Sequence, residues 1–190
     1  MTHNRNLEDI AARLEAAFTK VWRERMDGVP ILNPRLTVEA VGLREWNGHW
    51  LCALITPWFI NLILLPQRNP PNWAALPIGE KMLHRFPAGR FEFIAGEEGD
   101  VGRYLMCSLF SPVLEFENHE AARIAASASL DALFDAALDP DHDDKQKVDS
   151  GTQEGATPVP PADSAEAKPT QLSRRGFLSG RANPPEGNAT

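Results

Sequence analysis

Residues 46–66 read WNGHWLCALITPWFINLILLP, and this stretch decides the fold. Asn47 and Gly48 both accept a positive φ, so the pair predicts a two-residue hairpin turn between two strands. The apolar run that follows is divided by Pro57, which lacks the amide hydrogen that a strand needs for its ladder. We therefore predict a return strand over residues 50–56, a break at Pro57, and a further apolar strand over residues 59–65.

Further strands are predicted on both sides of this stretch. Apolar and polar residues alternate over residues 36–40, as they do on a half-buried strand. Residues 91–95 and 103–110 form another predicted pair, joined by the glycine-rich turn 96–102 and ended by Pro112. Residues 67–73 are rich in proline and asparagine, so we expect a loop there.

A helix is predicted at each end of the folded part. The first has Asn6 as its N-cap and ends before Gly28, and the second spans residues 118–138. In the first helix the apolar residues at helical spacing are Leu7, Ile10, Leu14, Phe18 and Val21. In the second, small alanines and serines surround the large apolar residues Ile124, Leu130, Leu133, Phe134 and Leu138. The predicted fold class is α+β, a mostly antiparallel sheet of about five strands with an N-terminal and a C-terminal helix packed on it.

Charge divides the chain into three parts. Residues 1–138 carry 13 basic and 17 acidic side chains, residues 139–170 carry 3 and 8, and residues 171–190 carry 3 and 1. The middle part has no aromatic residue and almost no large aliphatic one, so it cannot bury enough apolar surface to offset its ordering entropy. We expect a globular domain over 1–138, an acidic disordered linker over 139–170, and a tail over 171–190.

Several function classes are disfavoured by composition. A net charge of −7 repels phosphate backbones, so nucleic acid is not an expected partner. The longest apolar stretch is broken by Pro57 and Asn61, and residues 1–9 are polar, so we expect no stable membrane insertion, no secretory signal and a cytoplasmic location. The five histidines and two cysteines show no metal-ligand spacing and no catalytic motif, so we expect no enzyme, no cofactor and no metal.

Cys52 and Cys107 both lie in the middle of apolar strands. Free cysteine usually packs as a small hydrophobe, so the first interpretation is a pair of buried core thiols. The alternative is that their strands are neighbours and the thiols face one another. The protein would then be a thiol-based redox or metal-delivery factor.

Two tryptophans are candidates for partner binding, because tryptophan is enriched at binding hot spots. Trp58 follows the Thr56-Pro57 break and is either a core residue or part of an apolar binding surface, together with Phe59. Trp73 lies in the proline-rich loop, and we expect it to be exposed because loops lie at the surface.

The tail contains a basic and apolar patch, LSRRGFLSGR, over residues 172–181. Arg174, Arg175 and Phe177 fall on the SRRxFL pattern of twin-arginine export signals, but the residues that follow are polar and include Pro184 and Pro185. The patch is either a basic cluster without a fixed partner or a mimic of an export signal. A mimic would dock onto this protein's own domain or onto a partner.

Two stretches, LITPW at 54–58 and YLMCSLFSP at 104–112, occur with LPIGEK at 76–81 and FPAG at 86–89 between them. In this order and spacing they resemble the HybE/HupJ family of nickel–iron hydrogenase assembly chaperones. The resemblance covers roughly residues 7–138 and extends to the double-arginine tail, whereas the long acidic linker departs from shorter relatives.

The resemblance implies an accessory role in the maturation of a membrane-bound uptake hydrogenase. Such a chaperone is expected to hold the small-subunit precursor with its signal peptide, the large subunit or both in the cytoplasm before twin-arginine export, alongside other maturation factors. It need not bind a cofactor itself. The candidate partner-binding residues are Thr56, Pro57, Trp58, Trp73, Cys107, Ser108, Ser111, Pro112, Arg174, Arg175 and Phe177.

Overall fold

The computed structural model describes residues 2–67, 73 and 75–140, with side chains from residue 7 onward. The two helices are α1 (Thr2–Arg25) and α2 (His119–Ala132). The strands are β1 (Glu39–Trp46), β2 (His49–Ile55), β3 (Ile60–Pro66), β4 (Lys81–Phe86), β5 (Gly89–Glu98) and β6 (Gly102–Phe110). Short 3-10 helices follow β5 (Gly99–Val101) and α2 (Ala136–Leu138). The predicted tail and all but the first two residues of the predicted linker lie outside the described residues.

All six strands form one sheet in the order β1-β2-β3-β6-β5-β4, and every neighbouring pair is antiparallel. The α+β prediction is confirmed, with six strands in place of about five. The strand that the sequence did not predict is β4, an edge strand in which exposed residues alternate with half-buried ones.

The hairpin prediction is confirmed in its detail. Asn47 has a φ of 47° and Gly48 a φ of 76°, and the turn joins β1 to β2 with Trp46 opposite His49. The left-handed conformation at both positions matches the twist of the two strands, which explains why asparagine and glycine stand there.

Each helix covers one face of the sheet, because successive side chains of a strand point to opposite faces. On the first face, Ile10, Leu14 and Phe18 of α1 pack on Trp50, Cys52, Leu54, Ile63, Leu65 and Tyr104. On the second face, Ala122, Ala126, Leu130 and Leu133 of α2 belong to one cluster with Leu51, Ala53, Ile55, Leu62, Leu64, Phe93 and Leu105. The central strands β2 and β3 are buried on both faces, so they read as continuous apolar runs.

The sheet curves strongly around the α2 side. In a flat sheet β1 and β4 would lie about 24 Å apart, at about 4.8 Å per strand. The Trp46 ring of β1 instead stacks on the Phe86 ring of β4 with 4.1 Å between centroids. The Ala88 amide donates to Leu133 O at 3.0 Å, so the β4–β5 turn is fastened to the end of α2.

The first helix and first strand differ from their predicted bounds. Helix α1 begins at Thr2, so Asn6 is not its N-cap. Strand β1 begins at Glu39 and not at residue 36, and its alternation is interrupted by a bulge between Val41 and Arg44. Gly42, in the bulge, has a φ of 65°. The bulge explains why the alternating pattern could not be followed beyond residue 40.

The second helix also differs from its predicted bounds. Asn118 caps α2, since its Oδ1 accepts from Ala121 N at 2.8 Å, but the helix ends at Ala132 and not at residue 138. Ile124, one of the large apolar residues of the predicted helix, is 62% exposed. The buried face of the helix is made of Ala122, Ala126, Ser129 and Leu130.

Candidate functional site

The break between β2 and β3 is a tight turn organised by the Thr56 hydroxyl. Its Oγ1 accepts from Trp58 N at 3.3 Å and from Phe59 N at 3.0 Å, and it donates to Phe59 O at 3.0 Å. The Thr56 amide donates to Phe59 O at 2.8 Å. Thr56 and Pro57 are buried, so their role is to shape this turn, and they offer no side-chain surface to a partner.

The stretch YLMCSLFSP (104–112) ends at the same end of the sheet as the Thr56 turn. Ile60 at the start of β3 pairs with Phe110 at the end of β6, so residues 111–116 lie beside the Thr56 turn. Within the strand, Cys107 is opposite Leu62 and Ser108 is opposite Asn61, and both are half-buried. Ser111 and Pro112 follow the strand and are exposed.

A buried asparagine, Asn33, joins the 54–58 stretch to the segment that follows the 104–112 stretch. The backbone amide of Asn33 donates to Pro57 O at 2.7 Å. Its side-chain Nδ2 donates to Val113 O at 3.0 Å and to Phe116 O at 2.8 Å. Its Oδ1 accepts from Arg35 N at 3.1 Å. Sequence reasoning missed Asn33, because a single asparagine in a turn-rich segment carries no spacing that distinguishes it.

Exposed apolar side chains flank this junction. Ile31 lies two residues before Asn33, and Leu114, which is 52% exposed, lies between the two carbonyls that Asn33 binds. With Ser111 and Pro112 they form what we call the motif surface: Ile31, Ser111, Pro112 and Leu114. These four residues are brought to one end of the sheet from segments that are about 80 positions apart in the chain.

The two tryptophans do not provide this surface. Trp58 is 8% exposed and packs in the α1-side core beside Phe59, which favours the core interpretation. Trp73 is 3% exposed, so our prediction of an exposed loop tryptophan is wrong. Its ring lies 5.0 Å from that of His49 and belongs to the α2-side core, where it covers apolar surface of the curved sheet. Trp73 is helical, so the predicted loop over residues 67–73 does not hold at this residue.

The two thiols do not face one another. Cys52 packs in the α1-side core and Cys107 against the α2-side core, and β3 separates their strands. Burial raises the pKa of the Cys52 thiol to about 12. A nucleophilic or metal-binding cysteine needs a thiolate near neutral pH, so the geometry contradicts the facing-thiol alternative.

Among the residues whose side chains the structure describes, no group of three or more histidine, cysteine or acidic side chains is arranged to hold a metal ion. None of the described helices combines the length and apolar character that a membrane span requires. His49 and His84 are neighbours, with ring centroids 6.1 Å apart. Burial of the His84 ring lowers its pKa, and the charge of the nearby His49 lowers it further. The candidate residues Arg174, Arg175 and Phe177 lie outside the part of the chain that the structure describes.

The sequence matches a family described as the NiFe-hydrogenase assembly chaperone HybE over residues 9–180. It is similar to the hydrogenase expression/formation protein HupJ of Bradyrhizobium diazoefficiens, with 39% identity over 64% of this chain and 69% of that one. It is similar to the protein HoxT of Cupriavidus necator, with 34% identity over 91% and 89% of the two chains.

A third relative is the probable rubredoxin HupJ of Rhodobacter capsulatus, at 39% identity over 65% of this chain and 44% of that protein. The match therefore spans less than half of the length of that relative. Among solved structures, the solution structure of HybE from Escherichia coli has a TM-score of 0.53 and 23% identity, and the match covers 83% of this chain and 91% of that one. At that identity the likeness shows a shared fold.

Proposed function

Since this chain belongs to the HybE family of nickel–iron hydrogenase assembly chaperones, and so acts in hydrogenase assembly, we propose that it binds hydrogenase subunits before their export. The proposed ligand is the small-subunit precursor with its twin-arginine signal, the large subunit, or both. The proposed setting is the cytoplasm, during maturation of a membrane-bound uptake nickel–iron hydrogenase and in company with other maturation factors.

The observation that carries this proposal is the Asn33 junction. The two stretches on which the family resemblance rests are separate in sequence, yet Asn33 binds the backbone of the first at Pro57 and the backbone of the segment that directly follows the second, at Val113 and Phe116. Buried polar side chains with satisfied hydrogen bonds fix one geometry of the segments that they join. Ile31 and Leu114 are thus held at a defined place, as a protein-binding surface requires.

A binding role agrees with the chemistry of the Thr56 hydroxyl and the Cys52 thiol. The Thr56 hydroxyl is engaged on three sides within its turn, and the Cys52 thiol is buried with a high pKa. Neither group is available to a substrate. We therefore propose a chaperone that works through surface complementarity and without a reaction of its own.

The tail adds a proposed regulatory element. Residues 1–138 have a charge of −4, from 13 basic and 17 acidic side chains, and Arg174 and Arg175 are cationic. Arginine forms strong bidentate pairs with carboxylates. Asp139, the first residue of the predicted linker 139–170, is buried and paired with Arg85. We propose that the acidic segment beyond it acts as a disordered linker that lets the tail reach the globular domain, where it competes with the export signal of a precursor.

The first test is affinity purification of the tagged protein from its native cells, with mass identification of the proteins that accompany it. We expect hydrogenase subunits, with the small subunit still carrying its uncleaved signal. The variant Leu114→Glu should lose these subunits, because a charge in the motif surface opposes the burial of apolar area.

A matched control is Leu83→Glu. Leu83 is also an exposed leucine, but it lies on the edge strand β4 and outside the motif surface. Capture should be unchanged in this variant. If both variants capture the subunits as the wild type does, the motif surface is not the binding site. If the wild type captures no hydrogenase subunit, the proposed partners are wrong.

A further inference from the structure

A small cavity lies at the end of the sheet opposite to the motif surface. Its volume is about 200 Å³, and its lining residues are Arg13, Leu65, Pro66, Val101, Gly102 and Arg103. Pro66 is opposite His49, at the beginning of β2, whereas the Thr56 turn follows the other end of that strand. The cavity is therefore separate from the surface that we assign to partner binding.

One of the lining residues, Arg103, is a largely buried cation with incomplete hydrogen bonding. Its side chain is 15% exposed, and its Nη2 lies 3.4 Å from Oε2 of Glu97. Among the residues that the structure describes, the buried Nε and Nη1 of Arg103 have no hydrogen-bond partner. Guanidinium N–H groups that leave water without gaining an acceptor carry a free-energy cost, and an anionic oxygen would remove it.

The charges around the cavity favour an anion. Both charged lining residues are arginines, and Arg13 is exposed on α1. Glu98, which follows Glu97 on β5, is already engaged by Arg25. Asp100 is exposed in the adjoining 3-10 helix and is the acidic side chain closest in sequence to the lining residues Val101 and Gly102.

The volume of the cavity and its apolar lining residues indicate which class of anion it can hold. Sites for drug-sized molecules enclose roughly 300–1,000 Å³, so this cavity suits a single small group. Leu65, Pro66 and Val101 supply apolar surface beside the arginines. The net charge of −7 disfavours a phosphate polymer. A carboxylate that belongs to a polypeptide, with an apolar group next to it, meets all of these conditions.

We propose that this cavity binds one carboxylate group of a polypeptide ligand, with Arg103 donating hydrogen bonds to its oxygens and Arg13 adding a second positive charge. Guanidinium groups present N–H donors in a geometry that matches a carboxylate. The proposal does not depend on which protein the motif surface binds. It adds a second contact point at the far end of the same sheet.

The test is an NMR titration of the full-length chain that follows the Nε–Hε signal of Arg103 and the backbone amide of Gly102. The probes are N-acetyl-glycyl-alanine with a free carboxylate, the same dipeptide as its C-terminal amide, and N-acetyl-glutamate α-amide. We expect saturable shifts with a carboxylate probe and none with the dipeptide amide. The two carboxylate probes distinguish a chain terminus from an acidic side chain.

Three variants test which side chains determine the affinity for the carboxylate probes. Arg103→Lys keeps the charge but loses the planar donor group, so affinity should fall about tenfold. Asp100→Asn should strengthen binding because it removes a repelling charge. Arg90→Gln, at an exposed position on β5, is the matched control and should leave affinity unchanged. If the amide shifts Arg103 as strongly as the acid, if no carboxylate shifts it, or if inorganic phosphate binds more tightly than both carboxylates, the assignment is wrong.

Discussion

The Trp46 ring of β1 stacks on the Phe86 ring of β4, with 4.1 Å between centroids and 14° between planes. These residues belong to the first and the last strand in the order of the sheet. The stack therefore connects the two edges of the sheet and holds its curvature. Phe86 also packs against Phe93 and Phe134, so the same ring links the edge strand to the region that follows α2.

Removing either ring of this stack should destabilise the protein. Phe86→Ala should lower the free energy of unfolding by about 3–5 kcal/mol, as expected for a fully buried phenylalanine. A double-mutant cycle with Trp46→Ala should give a coupling of about 0.5–1.5 kcal/mol in denaturant unfolding. The control cycle pairs Trp46→Ala with Phe59→Ala, which lies on the other face and should be additive. Additive effects for Trp46 and Phe86 would mean that the stack does not hold the edges together.

The Asn33 junction predicts a coupled loss of stability and binding. Asn33→Ala leaves Val113 O and Phe116 O without their donor, so the free energy of unfolding should fall by about 2–4 kcal/mol. Capture of hydrogenase subunits should also fall at temperatures where the variant is still folded. Asn118→Ala is the control, since it removes the α2 cap and should cost about 1 kcal/mol without affecting capture. Normal capture by a folded Asn33→Ala variant would contradict the proposed role of this junction.

The parts of the fold that the sequence predicted are those that local chemistry determines. Asn47 and Gly48 fix the hairpin through their own backbone conformations, and Pro57 ends its strand because it has no amide hydrogen. Strand β4 was missed because it lies at the edge of the sheet. There Lys81, Leu83 and Arg85 face solvent, so polar and apolar residues do not separate cleanly between its two faces. A half-exposed edge strand lacks the apolar run that identifies a central one.

The parts that could not be predicted depend on contacts between distant residues. Trp73 is buried because the curved sheet offers its ring apolar surface to pack on, and curvature is not encoded in any single segment. Asn33 binds carbonyls that lie 80 and 83 residues away, so its role appears only when the chain is folded. The motif stretches themselves were identified, but the exposed residues beside them, Ile31 and Leu114, were not.

Burial of the Cys52 thiol predicts an alkaline loss of stability. The pKa of this thiol is raised from an ordinary value of 9.0 to about 12, so the unfolded state ionises at a lower pH than the folded state. The contribution of the neutral thiol to stability is therefore complete below pH 9 and is lost as the pH rises toward 12. Between pH 8.5 and pH 10.5 this single group should remove about 2 kcal/mol from the free energy of unfolding. The measurement is urea unfolding across this range. Cys52→Ala should abolish that part of the pH dependence, whereas Cys107→Ala should keep it. Equal pH dependence in the wild type and Cys52→Ala would show that the thiol is not buried as described.

The tail predicts competition with an export signal. If the segment around Arg174 and Arg175 occupies, nine-tenths of the time, the place on the globular domain where an export signal binds, deletion of residues 171–190 should tighten binding of a twin-arginine peptide about tenfold. Arg174→Gln/Arg175→Gln should have the same effect as the deletion, because the mimicry depends on the arginine pair. Arg181→Gln is the control, since it removes a tail charge outside the SRRxFL pattern. The measurement is calorimetric titration of each full-length variant with the peptide. Unchanged affinity would show that the tail does not compete, and weaker binding after deletion would show instead that the tail contributes to holding the peptide.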